Sequence, residues 1–491
     1  MLKNAVKDCL IFQPRVRAGR QVRTIGPRIE QKKIRGNDVM TILLQMARRA
    51  ATISNEALPD DVSHAARRCV VDWFSAAIPG SVEAPATLLR KSMADELGHG
   101  RARLLPDGLA APARSAAFIN GAASHTIEFD DIYKPGLYHP GSPVIAAVLA
   151  IAQSEGLSGD RFLRGVVCGY ELSNRIAEAI QPSHYEFFHT TGTVGAIGAA
   201  AGAAAALELS AGQIAHAVAT AATFSSGLQQ AFRADAMTKP LHAAHAADVG
   251  VMAAQAARHG VTGAMDILEG PVGFGAALTK GVDWEQAVER LNSGYTMLQI
   301  TQKNHTCCGH TFAAVDAVLK LRTDHGLKAD NVAKIKAGTY SKALDVCATT
   351  DPQSPYQARF SLSYCLAAAL VTGGCRLAAF TPERLSDPVI RDVMTRVEAS
   401  VDETADRLFP STRSALVEIT TTGGQVVSHH APARRGDPED PLSDAEVTDK
   451  LTDLAAPVFG VAGAQALADQ LWSLDQAPDL GRLFGDKPKA A

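Results

Sequence analysis

Between residues 143 and 259 the chain is written largely in alanine, glycine and small apolar residues, in stretches of helical length. A helix with no polar face has nothing to offer water and must lie inside a protein or a membrane. Residues 143–153 read as a buried helix with proline in its first turn. Residues 160–181 read as a longer amphipathic helix, and 193–209, 211–230 and 242–259 follow, all rich in Ala and Gly. No strand pattern separates them, which predicts a helical bundle core and not an alternating α/β sheet. The longest apolar stretch, 193–209, is too short and too weakly hydrophobic to span a bilayer, so no membrane segment is expected.

The flanking sequence sorts into further units. Helices are expected over 40–54 and over 60–77, the second opened by Asp60 and Asp61. After about residue 304 the period changes: 332–340 reads as a strand, 361–371 as a helix, and 415–429 as a hairpin turned by Gly423 and Gly424. Ser443 with Glu446 three residues on is a capping box for a last helical region. A chain of 491 residues exceeds one ordinary core. The expected fold is therefore mainly α: a discontinuous all-helical domain, 40–303 plus 431–480, with a smaller inserted α+β lid domain, 304–430. Residues 1–39 read as a basic, disordered extension, because the first 38 hold ten Lys/Arg against three Asp/Glu without helical period.

A net charge of −3 gives no reason to expect nucleic acid or an anionic membrane as partner. Eight cysteines without framework spacing, and no signal-peptide pattern, read as reduced thiols in a cytoplasmic protein.

Four clusters carry chemistry. The first runs from His125 through Glu128, Phe129, Asp130 and Asp131 to His139, Pro140 and Gly141. Carboxylates this close repel, so one needs a cationic neighbour or a raised pKa, which suits acid–base work. Asp130 and Asp131 read equally well as helix caps. The second cluster, His189 to Gly195, places hydroxyls and glycines before an apolar helix; Thr191 marks a helix start that would hold a carboxylate. Its glycine spacing is not that of a dinucleotide site. The third is Thr238-Lys239-Pro240-Leu241-His242, where Lys239 is expected partly desolvated in a turn between helices. The fourth holds Lys303, His305, Cys307, Cys308 and His310. Adjacent cysteines rarely share one ion, so no metal is expected, and Cys308 and His310 are read as cleft-wall residues near a substrate. Cys308 as nucleophile lacks a base–orienter pair.

These clusters, in this order from about residue 40 onward, resemble the MmgE/PrpD family, which includes 2-methylcitrate dehydratase, cis-aconitate decarboxylase and iminodisuccinate epimerase. The segments Cys69–Phe74, Asn120–His125, Ala358–Tyr364 and Gly436–Ser443 join the resemblance. It implies a helical domain with an α+β lid, a homodimer, no cofactor, and an active site between the domains. Its characteristic residues fall on His139, His189, Lys239 and Lys303. With the clusters read above, the candidate catalytic residues are His139, His189, Lys239, Glu128 and Asp130, and the candidate substrate contacts are Thr191, Lys303, Cys308 and His310. Three departures stand out. Glu128-Phe129-Asp130-Asp131-Ile132 replaces the family's usual Asp-Phe-Asp-Asp-Thr, the loop before His139 is one residue longer than in the decarboxylase, and Cys308 stands where the decarboxylase has histidine. The expected activity is a cofactor-independent dehydratase of a 2-methylcitrate-like hydroxy-polycarboxylate, by alpha-proton abstraction. Epimerisation of an iminodisuccinate-like dicarboxylate, cis-aconitate-type decarboxylation and a non-catalytic carboxylate-binding homologue are the alternatives.

Overall fold

The computed structural model describes residues 40–232 and 236–484, so the expectation for 1–39 lies outside the described residues. Helix α1 (Ile42–Asn55) is capped by Thr41, whose hydroxyl accepts from the Leu44 N–H. Helix α2 (Asp60–Ser81) carries its two aspartates in the first turn, where they meet the positive end of the helix dipole; neither is the side-chain cap that the sequence suggested. The antiparallel pair β1 (Ala102–Leu104) and β2 (Leu109–Ala111) precedes α3 (Ala113–Thr126). Then come α4 (Gly141–Glu155), α5 (Gly159–Ala179), α6 (Thr190–Ala206), α7 (Ala211–Thr223) and α8 (Thr238–Arg258).

Helix α6 is buried along its whole length and packs against α4, α5, α7 and α8. Its glycines make this possible. A Cβ on Gly195 would lie 2.8 Å from Pro143, one on Gly198 2.7 Å from Ser173, and one on Gly202 2.8 Å from the Gly165 carbonyl. Close backbone approach replaces bulky side chains as the means of excluding water and filling space.

The second hydrophobic core gathers residues between Cys307 and Ala431. Here α9 (Phe312–His325) and α10 (Leu362–Thr372) pack with a four-stranded sheet of β3 (Val332–Thr339), β4 (Val397–Val401), β5 (Ala415–Thr421) and β6 (Val426–Ala431). Strand order is β4-β3-β5-β6, with β3 parallel to β4 and antiparallel to β5. The predicted strand and hairpin are β3 and β5–β6, and Gly424 takes a positive φ of 84° in the turn. Strand β4 was not legible. It is a short edge strand, mostly exposed, and its Val-Glu-Ala-Ser-Val sequence carries no buried face to set a period.

The last helix, α11 (Asp444–Trp472), begins with the expected Ser443–Glu446 capping box and returns to pack on α2 in the first core. It is the described helix that is long and apolar enough to cross a membrane, but it bends at Gly460 and carries a buried, ion-paired Lys450. The fold is thus mainly helical with a small α+β part.

Gly250 of α8 tests the packing argument. A Cβ there would lie 2.3 Å from the Ala199 Cβ and 2.7 Å from its backbone carbon. Helix propensity alone would make Gly→Ala favourable by about 1 kcal/mol, whereas overpacking costs about 1–3 kcal/mol. Because the neighbour is backbone that cannot rotate away, the clash dominates. Gly250→Ala is expected to lower stability in urea unfolding by about 1–2 kcal/mol.

Candidate active site

The acidic loop hangs between α3 and α4 and is held from three sides. Ile132 and Thr301 exchange backbone hydrogen bonds of 2.9 and 2.8 Å, and the next residue, Gln302, donates to the Gly436 carbonyl at 2.9 Å. This pairing brings Lys303 to the loop, where its Nζ donates to the Glu128 carbonyl at 2.8 Å. From below, Lys450 of α11 donates to the Phe129 carbonyl at 3.0 Å, lies 4.1 Å from the centre of that ring, and pairs with Asp72 of α2 at 2.7 Å. Glu128 sits at φ +60°, a left-handed conformation unfavourable for a residue with a Cβ. The turn sends Phe129 inward to Lys450 while Glu128 faces outward.

Asp130 is the centre of the site. Its Oδ2 accepts from His125 Nδ1 at 2.6 Å and from the Ser142 hydroxyl at 2.8 Å, and lies 3.4 Å from His139 Nδ1. Its Oδ1 faces Lys303 Nζ at 3.8 Å. Burial alone would raise its pKa, but His125, His139 and Lys303 outweigh burial and hold it well below the usual carboxylate range. Asp131 has the capping part: it accepts from the Gly141 N–H at the start of α4 at 2.9 Å and from the Tyr170 hydroxyl at 2.7 Å. Burial pushes its pKa up to about 7.

Four basic side chains, His139, His189, His242 and Lys239, stand around this network. Burial, reinforced by Lys303 and opposed by Asp130, brings His139 down to about 4. His189 stacks on His125 at 5.5 Å and shares a 3.0 Å hydrogen bond with His242, Nδ1 to Nδ1. Burial and the neighbouring positive charges hold His189 well below its usual value and bring His242 to about 4. Lys239 lies in the first turn of α8, not in a turn between helices as its setting suggested, and its ammonium pairs with Glu128. Burial would lower its pKa, yet Glu128 outweighs this and raises it. Conversely, Lys239, with His125 and Lys303, overcomes burial and holds Glu128 at about 2. At neutral pH the site therefore offers ionised Glu128 and Asp130, a charged Lys239 and neutral His139, His189 and His242.

His139, His189, Lys239, Glu128, Asp130 and Lys303 are thus brought together. Thr191 has a different part from the substrate contact expected: it is fully buried, and its hydroxyl accepts from the His139 backbone N–H at 3.2 Å. Cys308 and His310 are held by neighbours in the α+β part. The Cys308 N–H donates to the Arg359 carbonyl at 2.9 Å, and His310 Nδ1 meets the Tyr340 hydroxyl at 2.8 Å. Sequence reasoning gave no role to His242, which stands one helical turn beyond Lys239 and so on the same face. It also passed over Asp72 and Lys450. The signal was present: Lys450 interrupts the apolar stripe Val447, Leu451, Leu454 on the buried face of α11.

A buried carboxylate–histidine network beside two lysines, in a helical fold with an α+β part, is the candidate active site. The chain belongs to the MmgE/PrpD family: its N-terminal domain matches over residues 44–287 and its C-terminal domain over 305–476. A cis-aconitate decarboxylase-like protein, oryM, of Aspergillus oryzae (strain ATCC 42149 / RIB 40) is 26% identical over 455 residues, 87% of this chain and 93% of the relative. The cis-aconitate decarboxylase of Homo sapiens is 27% identical over 385 residues, covering 75% of this chain and 78% of that protein. That of Mus musculus is 26% identical over 392 residues, 76% and 78% of the two chains.

The Asp72–Lys450 pair is a stability test as well as a support. Removing one member of a buried pair strands the other charge, at a cost of about 3–5 kcal/mol. Lys450→Met is expected to destabilise by that order in urea unfolding, and Asp72→Leu/Lys450→Met to recover a substantial part of the loss.

Proposed function

We propose that this chain is a lyase that moves a proton next to a carboxylate of a small di- or tricarboxylate, using its own side chains as acid and base. The observation that carries this reading is the neutral His139 backed by an ionised Asp130 beside a charged Lys239. A base must be unprotonated to act, and the carboxylate behind it stabilises the imidazolium that forms. Lys239 and Lys303 hold the substrate carboxylates and oppose the negative charge that develops on the carbanion.

On a 2-methylcitrate-like hydroxy acid, His139 takes the alpha proton, the β-carbon–oxygen bond breaks, and the departing hydroxyl takes a proton from Lys239 to leave as water. Glu128 and Asp130 are too acidic in this setting to serve as that proton donor, so the ammonium is the better candidate. Decarboxylation is the second reading, supported by the names of the relatives. There a carboxylate leaves as carbon dioxide and the carbanion is protonated by the same lysine.

NMR in D2O separates these readings. The protein is incubated with 2-methylcitrate, citrate, cis-aconitate and iminodisuccinate, and the product formed identifies dehydration, decarboxylation or epimerisation. Lys239→Ala should abolish turnover, and His139→Asn should lower it about 10²- to 10⁴-fold. Loss of solvent-proton exchange in neither variant would sink the proposal. The pH profile follows from the depressed His139. Its neutral form persists until the pH falls through about 4, so kcat/KM should stay level between pH 5 and 6.5 and decline with a midpoint near 4. An acid limb centred near the ordinary histidine value of 6.5 would assign the base elsewhere.

A further inference from the structure

The segment that delivers Lys303 to the acidic loop continues to Gly309, where two arginines converge. A Cβ on Gly309 would lie 3.0 Å from Arg434 NH1 and 3.8 Å from Arg413 NH1, and the glycine leaves that space open. Arg434 is 1% exposed. Its Nε and NH2 are engaged by Asp437 at 3.0 and 2.7 Å, but its NH1 is buried and has no hydrogen-bond partner. Asp437 is already committed, since it also accepts from the Thr301 hydroxyl at 2.7 Å and lies 3.3 Å from Lys134 Nζ. Among the described residues no carboxylate pairs with Arg413, whose like-charged neighbour Arg434 adds to burial in disfavouring its charge. Two guanidinium groups aimed at one gap, one with an orphaned buried N–H, are a local excess of positive charge that needs an anion.

We infer that Arg413 and Arg434, converging over Gly309, form a seat for an oxyanion of carboxylate size. The guanidinium of Arg434, fixed by Asp437, supplies one N–H, and Arg413 NH1 supplies a second. His310 and Tyr340, hydrogen-bonded to each other beside it, complete the wall. The seat stands on geometry; that its occupant is a carboxylate of the substrate rests on the proposed function, while a separate free anion is the other source of the same chemistry.

Titration calorimetry on the full chain distinguishes them, with tricarballylate as an unreactive tricarboxylate and sulfate as a free oxyanion. Arg434 is unsuitable for substitution because its loss would strand buried Asp437. Arg413→Gln breaks no ion pair and should keep the ligand-free melting temperature; Gly309→Ala fills the gap against Arg434 NH1, so its binding is read on protein shown by its own melting curve to be folded. Charge-assisted hydrogen bonds predict about ten- to a hundredfold weaker tricarballylate binding in both variants if the seat takes a substrate carboxylate. The same loss confined to sulfate would assign the seat to a free anion. Affinity for both probes unchanged to within about twofold in both variants would overturn the seat. Turnover lost in Lys239→Ala but unaffected in these variants would leave the proton-transfer reading standing without it.

Discussion

One carboxylate organises this molecule's chemistry. Asp130 is buried, yet four groups face it: His125, His139 and Ser142 from the same stretch of chain, and Lys303 from far along it. Burial penalises its charge, and these neighbours more than repay the penalty. An ionised carboxylate in such surroundings orients His125, opposes the burial that lowers His139, and attracts Lys303. Its neighbour Asp131 shows how much environment decides. With a backbone N–H and a tyrosine hydroxyl as partners, and no cation close enough to prevail, it is pushed up to about 7 and serves to tie the loop to α4.

The small-residue bundle is what allows this network to be buried. Helix α6 places His189 at its N-terminal end, and α8 places Lys239 in its first turn and His242 one turn further on. Their separation is set by the close approach of the two helices, which glycine permits at Gly250. The opposite wall comes from the segment around residues 301–310, which is paired to the acidic loop through Ile132 and leads into the second core. Beneath the loop the buried Asp72–Lys450 pair fixes Phe129 and with it the turn at Glu128. Desolvation works against both members of that pair, raising Asp72 and lowering Lys450. An ion pair under such strain is poor value as stabilisation alone; it makes sense as a device that holds a loop in one conformation.

A chain with this family's fold can carry several outcomes of one chemical opening, because loss of a proton, of carbon dioxide or of a hydroxyl passes through similar carbanions. What separates them is where the remaining proton donors and anion seats lie. In the proposed reaction Lys239, paired with Glu128, is the donor. The proposed seat between Arg413 and Arg434 over Gly309 adds a second point for an anion.

Period and composition made the long elements readable. The apolar helices, the Ser443 cap, strand β3 and the β5–β6 hairpin each obey a local rule that holds wherever the segment ends up. His139, His189, Lys239, Glu128, Asp130 and Lys303 were legible as well, since charged residues in apolar surroundings point to a purpose. Their partners were not. Nothing in the sequence says that Thr191 holds the backbone of His139, that Asp130 and Asp131 divide into a network centre and a cap, or that Lys450 lies under a loop more than 300 residues away. Nor does it say that Cys308 and His310 belong with the arginines of the second core. Sequence by itself fixed which groups this protein has and the local geometry each can adopt. Only the tertiary structure decided which are charged, because the free energy of a buried charge depends on the neighbours within a few ångströms, and those come from distant parts of the chain.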